Sequence, residues 1–245
     1  MNNGILRRAV ENVVLLPGTG SDEVFVRAVF AGPLLALGLP LTAPAPVPGV
    51  DLVRHHLAAL DAAAERGPVL VGGISLGAHV AANWAVRNQD RCAGLLAALP
   101  AWHGPAPSDA PAAWAARASA AAIERDGLAA TLRASTEGVA GWLSAELHRA
   151  WTRHGDGLAA SLRAAAAYPG PDLADLRGLD VPAGIAACSD DPVHPAEEAD
   201  VWAAALPNAV ARRTTLAAMA ADREALGRAA LLAWLSAARH RAGVS

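Results

Sequence analysis

A chain of 245 residues, 53% of them apolar, is long enough for one large domain with a substantial core. Net charge is −3 and all 20 basic residues are Arg, scattered among acids without a basic stripe, which argues against a nucleic-acid partner. The longest uncharged stretch, residues 28–50, carries Pro33, Pro40, Pro44, Pro46 and Pro48, and prolines at that density exclude a membrane-spanning helix.

In chain order, Met1–Arg8 lacks the apolar segment and cleavage site of a secretory signal. Cys92 and Cys188 each sit in an apolar strand-like run and read as buried free thiols, so a cytoplasmic location is expected. Asn12–Leu16 is a short apolar run ended by Pro17-Gly18-Thr19-Gly20, the pattern of a buried parallel strand. Ser21 or Asp22 then caps a helix to about Leu37. A strand near Leu39–Ala43 and a proline-rich loop at 44–48 precede a helix over 50–65, stopped by Gly67-Pro68. A strand from Val69 runs into Ser75 and a helix follows; Cys92–Leu99 is the next strand, closed by Pro100.

From Trp102 to Pro171 the pattern turns helical, alanine-rich and poor in strand formers, with Trp102, Trp114, Trp142 and Trp151. Strand character returns at Val181–Cys188, followed by helix 196–206, strand 209–216 and helix 222–242. Alternating strands and helices predict an α/β fold with a doubly wound, mostly parallel sheet, and ligands then bind at the carboxyl ends of the strands.

The motif that carries chemistry is Gly73-Ile74-Ser75-Leu76-Gly77, set between a strand and a helix. That context is what a nucleophile elbow requires, because the two glycines leave room for neighbouring backbone around a sharply turned serine. On these residues the chain resembles the α/β-hydrolase superfamily, in the form of a compact esterase or thioesterase. The resemblance implies a core of residues 1–101 and 172–245, with 102–171 inserted as a helical cap. It also implies Ser75 as nucleophile and the Leu76 amide as one oxyanion-hole donor. Pro17-Gly18-Thr19-Gly20 resembles the family's His-Gly-x loop, with Pro17 where histidine is common. On that alignment Gly18 forms the loop and the Thr19 amide is the second donor.

Ser189-Asp190-Asp191-Pro192-Val193-His194-Pro195 resembles the family's Asp-x-x-Val-Pro loop, and Asp191 fits the acid register better than Asp190. The family's histidine should follow the last strand. Here residues 217–224 contain none, and no histidine occurs between His194 and His240, which lies near the end of a helix. His103 and His194 are at the right sheet edge and are the candidate bases. His79, four residues after Ser75 on its helix, is expected to pack beneath the site. His55, His56, His148 and His154 read as surface residues.

No metal-spaced cluster and no phosphate-binding fingerprint is present, so neither a metal nor another cofactor is expected. Two functions follow. The first is a serine hydrolase of an ester or thioester with an apolar acyl part, using a relocated base; Trp102 and the other cap tryptophans would line its pocket or form the cap's own core. The second is a hydrolase-like protein that binds or transforms an apolar small molecule without hydrolysis. In either case the expected partner is a small molecule.

Overall fold

The computed structural model describes residue 10, residues 12–241 and residue 243, so the segment on which the secretory-signal reading rested lies outside the described residues. The strands are Asn12–Leu16 (β1), Leu41–Thr42 (β2), Val69–Ile74 (β3), Cys92–Ala98 (β4), Ala183–Cys188 (β5) and Ala209–Thr214 (β6). They form one sheet in the order β2-β1-β3-β4-β5-β6, with every pairing parallel. The helices are Glu23–Ala36 (α1), Leu52–Ala64 (α2), Leu76–Arg87 (α3), Pro111–Asp126 (α4), Leu128–Thr136 (α5), Gly141–His154 (α6), Leu158–Ala167 (α7), Leu173–Arg177 (α8), Ala196–Ala205 (α9), Leu216–Ala221 (α10) and Glu224–Arg241 (α11).

β1, β3 and β5 are buried almost throughout because helices cover both sheet faces, which is why these strands read as continuous apolar runs. One face is covered by α2, α3 and α9, with Leu60, Trp84 and Trp202 at its centre. The other is covered by α1 and α11, with Phe30, Leu34 and Trp234. α11 comes close enough to β5 that a side-chain carbon at Gly184 would overlap the Ala230 carbonyl. Pro33 lies inside α1 and has no N–H to offer the Val29 carbonyl four residues back. Gly227 of α11 packs against that carbonyl, where any Cβ would overlap it.

Three elements differ in extent from expectation. β2 is only two residues long, held between Pro40 and Pro44, and Pro has no ladder donor. β6 ends at Thr214 because Thr215 caps α10, its hydroxyl accepting from the Ala218 amide at 2.9 Å. The helix expected over 222–242 runs Glu224–Arg241, and a short helix that was not expected, Leu216–Ala221, precedes it; between them the Asp222 carboxylate accepts from the Glu224 amide at 2.9 Å.

Between β4 and β5 the chain inserts α4–α7, with no strand among the described residues there. The insertion has its own small core of Ala120, Leu132, Ala150, Trp151, Leu158 and Leu162. Both cysteines are free and buried. No described helix is long and apolar enough to cross a membrane.

The sheet order also locates a crevice. The chain leaves β1 toward β2 on one side and returns to β3 on the other, so the loops after β1 and β3 diverge at the strand ends. Such a switch point is where open α/β sheets hold ligands.

Candidate active site

At that switch point β3 ends on Ser75, whose backbone takes φ 53° and ψ −116°. A positive φ on a residue with a side chain stores strain of roughly 1–3 kcal/mol and needs support from its surroundings. The support is explicit. The Ser75 amide donates to the Ala98 carbonyl at 2.9 Å, and its carbonyl accepts from the Ala78 and His79 amides at 2.9 and 3.1 Å. Gly73 and Gly77 meet each other beneath the turn: a Cβ on Gly73 would lie 2.5 Å from the Leu16 carbonyl oxygen and 2.7 Å from the Gly77 carbonyl carbon. A Cβ on Gly77 would approach Leu16 more closely still. Both glycines of the elbow are therefore dictated by the contact of β3 and α3 with β1. Ser75 occupies the N-cap position of α3, yet its hydroxyl makes no capping bond there.

The hydroxyl instead meets His194, with Oγ and Nε2 3.0 Å apart. His194 Nδ1 is 2.9 Å from Asp191 Oδ2. A carboxylate only accepts, so Nδ1 carries the ring proton and Nε2 is left as an acceptor for the serine O–H. Asp191 Oδ1 accepts from the Val193 and His194 amides at 2.8 and 3.2 Å, which folds the loop back and aims the imidazole at the elbow. Burial pushes the Asp191 carboxyl up, but the His194 hydrogen bond and charge and the two amides outweigh it and hold it below the usual carboxylate range.

Asp190, the neighbouring acid, faces elsewhere. It caps α10, accepting from the Leu216 amide at 2.6 Å and the Ala217 amide at 3.4 Å. The position after β6 that the resemblance assigns to a histidine is filled by this capped helix. His240 is exposed on the last turn of α11.

The other histidines divide plainly. His103, the second candidate base, puts Nδ1 2.9 Å from Glu198 Oε1 and makes no hydrogen bond to Ser75; the same glutamate oxygen accepts from the Trp202 indole at 2.9 Å. His79 is fully buried on α3. Its Nε2 accepts from the Ala101 amide at 3.0 Å, and its ring meets Trp102 edge-on at 4.6 Å. Burial, helped by the nearby His194, lowers it to about 3, so it is a neutral packing group that holds the segment after β4. Trp102 is itself 6% exposed and packs with Ala110, Ala113 and Ala166, which places its ring in a core.

His56 and His154, expected at the surface, are buried. His56 lies on the stripe Leu52, His56, Leu60, and His154 continues Leu147, Ala150, Trp151; both are at helical spacing and would have been legible on that count. His154 Nε2 lies 3.0 Å from the Ser21 carbonyl. The Asp22 carboxylate and Arg149 of α6 form a second pairing that sequence spacing does not reveal.

Leu76 heads α3, so its amide has no partner inside that helix and the positive end of the helix dipole lies at the serine. Gly18 abuts the elbow: a Cβ there would lie 3.2 Å from the Ile74 carbonyl oxygen and 3.5 Å from Ser75 Cβ. Thr19 follows in the turn closed by the Ser21 amide on the Gly18 carbonyl at 3.1 Å, with Gly20 at φ 64°. No three His, Cys, Asp or Glu side chains gather to hold a metal ion among the described residues.

No protein-family model and no curated protein sequence matches the chain. Its structure is similar to those of several solved proteins. One is a putative non-heme bromoperoxidase, BpoC, from Mycobacterium tuberculosis, at 17% identity over 93% of this chain and 92% of that one, TM-score 0.65. A thermophilic esterase from Thermogutta terrifontis matches at 19% identity over 84% and 80%, TM-score 0.60. An enol-lactonase from Burkholderia xenovorans matches at 17% identity over 84% and 82%, TM-score 0.61. With a six-stranded parallel sheet, helices on both faces and an elbow at the switch point, the chain has the α/β-hydrolase fold.

Proposed function

We propose that the protein is a serine hydrolase of esters or thioesters, with Ser75 as nucleophile, His194 as general base and Asp191 as the acid that orients it. The observation that carries this reading is the unbroken hydrogen-bonded chain Asp191–His194–Ser75, joining two loops 119 residues apart in sequence. As the Ser75 oxygen attacks the substrate carbonyl, its proton passes to His194 Nε2, and Asp191 stabilises the imidazolium through Nδ1. The negative oxygen of the tetrahedral intermediate is received by the Leu76 and Thr19 amides. Collapse breaks the bond to the alcohol or thiol, which leaves with the proton from His194. Water then gives a proton to the same nitrogen, attacks the acyl-serine, and releases the acid and Ser75.

The non-hydrolytic alternative drew its motive from the absence of a histidine after β6, and a histidine bonded to the serine weakens that motive. Labelling with a fluorophosphonate probe, read by intact mass, tests the reading. One adduct is expected on the wild type, none on Ser75→Ala, and slow formation on His194→Ala. A folded wild type that takes no label would overturn it.

A further inference from the structure

Four consecutive residues after Thr19 each lie against α6. The Trp151 indole nitrogen stands 3.0 Å from where a Cβ on Gly20 would lie. His154 Nε2 is 3.0 Å from the Ser21 carbonyl. Arg149 donates through Nε to Asp22 Oδ2 at 2.9 Å and through Nη2 to Oδ1 at 2.7 Å, a two-pronged pairing. Arg153 reaches Asp22 at 3.4 Å and Glu23 at 2.8 Å. The spacing 149, 153 is one helical turn, so a single stripe of α6 supplies both guanidinium groups.

Asp22 is the hub. Its side chain is 1% exposed, and Oδ1 also caps α1, accepting from the Val24 and Phe25 amides at 3.1 Å each. Every acceptor position of this carboxylate therefore faces a donor. The turn Gly18–Ser21, with Thr19 at its second position and Gly20 at positive φ, is fixed at one end against the elbow by Gly18 and at the other by this pairing. Farther along the same helix, Trp142 stacks on Phe25 at 6.5 Å and lies under the Arg223 guanidinium at 4.1 Å, so α6 is held to the sheet layer at both of its ends.

We infer that the Asp22–Arg149 pair is a positioning device: α6 of the insertion braces the turn that presents the Thr19 amide to the oxyanion. The inference rests on the serine-hydrolase reading of the site. It makes the insertion a structural part of the oxyanion hole, since displacing α6 withdraws a donor from the reacting atoms. Asp22 and Arg149 touch neither substrate nor Ser75 and act through the turn.

Asp22→Asn weakens the brace and spares the helix cap, because Oδ1 still accepts from Val24, Phe25 and Arg149 Nη2 while the new amide nitrogen opposes Arg149 Nε and the carboxylate charge is lost. Arg149→Met removes the fork and keeps the stem, and Arg149→Lys keeps charge without the fork. Removing one oxyanion donor outright costs about 10²–10³-fold in kcat, so loosening one is expected to cost about 10–100-fold. KM and the acidic limb of the kcat/KM profile should hold, because ester binding and the His194–Asp191 pair are untouched. End-point labelling should still reach one probe per chain at a lower rate, and Arg149→Lys should lie between Arg149→Met and wild type. Amide hydrogen exchange in residues 17–25 should rise in Asp22→Asn and Arg149→Met.

Unchanged kcat in both folded variants, a kcat loss matched by an equal loss of labelled fraction, or unchanged exchange in 17–25 would each overturn the inference. A wild type that neither labels nor turns over an ester would instead overturn the serine-hydrolase reading and remove the site the brace is inferred to serve. Exchange would then report only whether the turn is held.

Discussion

Asp191→Asn separates the geometry of the acid loop from its chemistry. In the native loop Oδ1 accepts from the Val193 and His194 amides at 2.8 and 3.2 Å, while Oδ2 meets His194 Nδ1 at 2.9 Å. An asparagine keeps an oxygen for the two amides, so the loop stays folded, and this forces its NH₂ toward Nδ1. A donor there requires Nδ1 to accept, which moves the ring proton to Nε2 and turns an N–H toward Ser75 Oγ, 3.0 Å away. The base is then blocked by tautomer with every distance preserved. Losses of about 10⁴-fold in kcat accompany that change in a well-studied serine protease, equivalent to about 5 kcal/mol on the barrier. A comparable fall is expected here in ester turnover and in fluorophosphonate labelling rate, with the melting temperature close to wild type. Asp191→Ala should differ by also lowering the melting temperature, since two loop amides lose their acceptor. An Asp191→Asn protein that is folded and labels within tenfold of the wild-type rate would refute the assignment of Asp191 and His194 as an acting pair.

Three further expectations concern the frame around the site. Gly77→Ala forces a methyl group into the Leu16 carbonyl, where neither backbone can yield, and should cost about 3 kcal/mol or prevent folding, measured by urea denaturation; a cost under about 1 kcal/mol would contradict the close-approach account of the elbow. His79 and His56, lowered to about 3 and about 4 chiefly by burial, stay neutral in the fold while their unfolded counterparts take a proton below about 6.5. Stability is then full above pH 6.5 and falls by about 1.4 kcal/mol per pH unit for each histidine as pH drops toward 4, and His79→Gln, which keeps an acceptor for the Ala101 amide, should remove one share of that slope. Equal slopes in wild type and variant would exclude His79 as a source. Cys92 and Cys188 are both pushed up to about 12, mainly by burial, so a disulfide reagent at pH 8 should react with neither until the chain is unfolded; rapid native-state reaction would contradict the burial.

What was legible in the sequence was whatever rests on local pattern. The apolar runs of β1, β3 and β5, the glycines around Ser75 and the Asp-Pro loop each carry their structural reason within a few residues. The preference for Asp191 over Asp190 has a local reason of the same kind, since it is Asp191 that takes the Val193 and His194 amides into a turn. The direction of the His194 ring was not, because a side chain on a loop can face either way until its hydrogen bonds are known. Asp22 was visible as a cap but not as the partner of Arg149, which lies 127 residues away on an alanine-rich helix of the insertion. Trp102 was read as lining a pocket or forming the cap's own core, and its ring is packed on His79 in a core. An aromatic residue at a sheet edge has the same composition signal in either role.

On the proposed reading, the consequence of greatest weight is that the acid, Asp191, and the base, His194, share one loop. Where the base arrives from a separate element after the last strand, its position depends on the packing of two loops. In this chain Asp191 and His194 are three residues apart, with Pro192 between them and Pro195 after them to restrict the backbone. The two amides that Asp191 accepts are those of Val193 and the base itself, so the carboxylate that orients the imidazole also sets the backbone that carries it. Asp190, next in line, points the other way to cap α10 at 2.6 Å, tying the loop to the helix that follows β6. Asp190 should therefore affect His194 through the loop and not through charge. Asp190→Asn, which still offers an acceptor to the Leu216 amide, is expected to leave kcat within about threefold of wild type. Asp190→Ala leaves that amide without its side-chain acceptor and frees the loop, and it should lower kcat and the melting temperature together. Equal kcat losses in the two variants would mean that the Asp190 charge acts on the imidazole directly, and that the loop does not position it as argued.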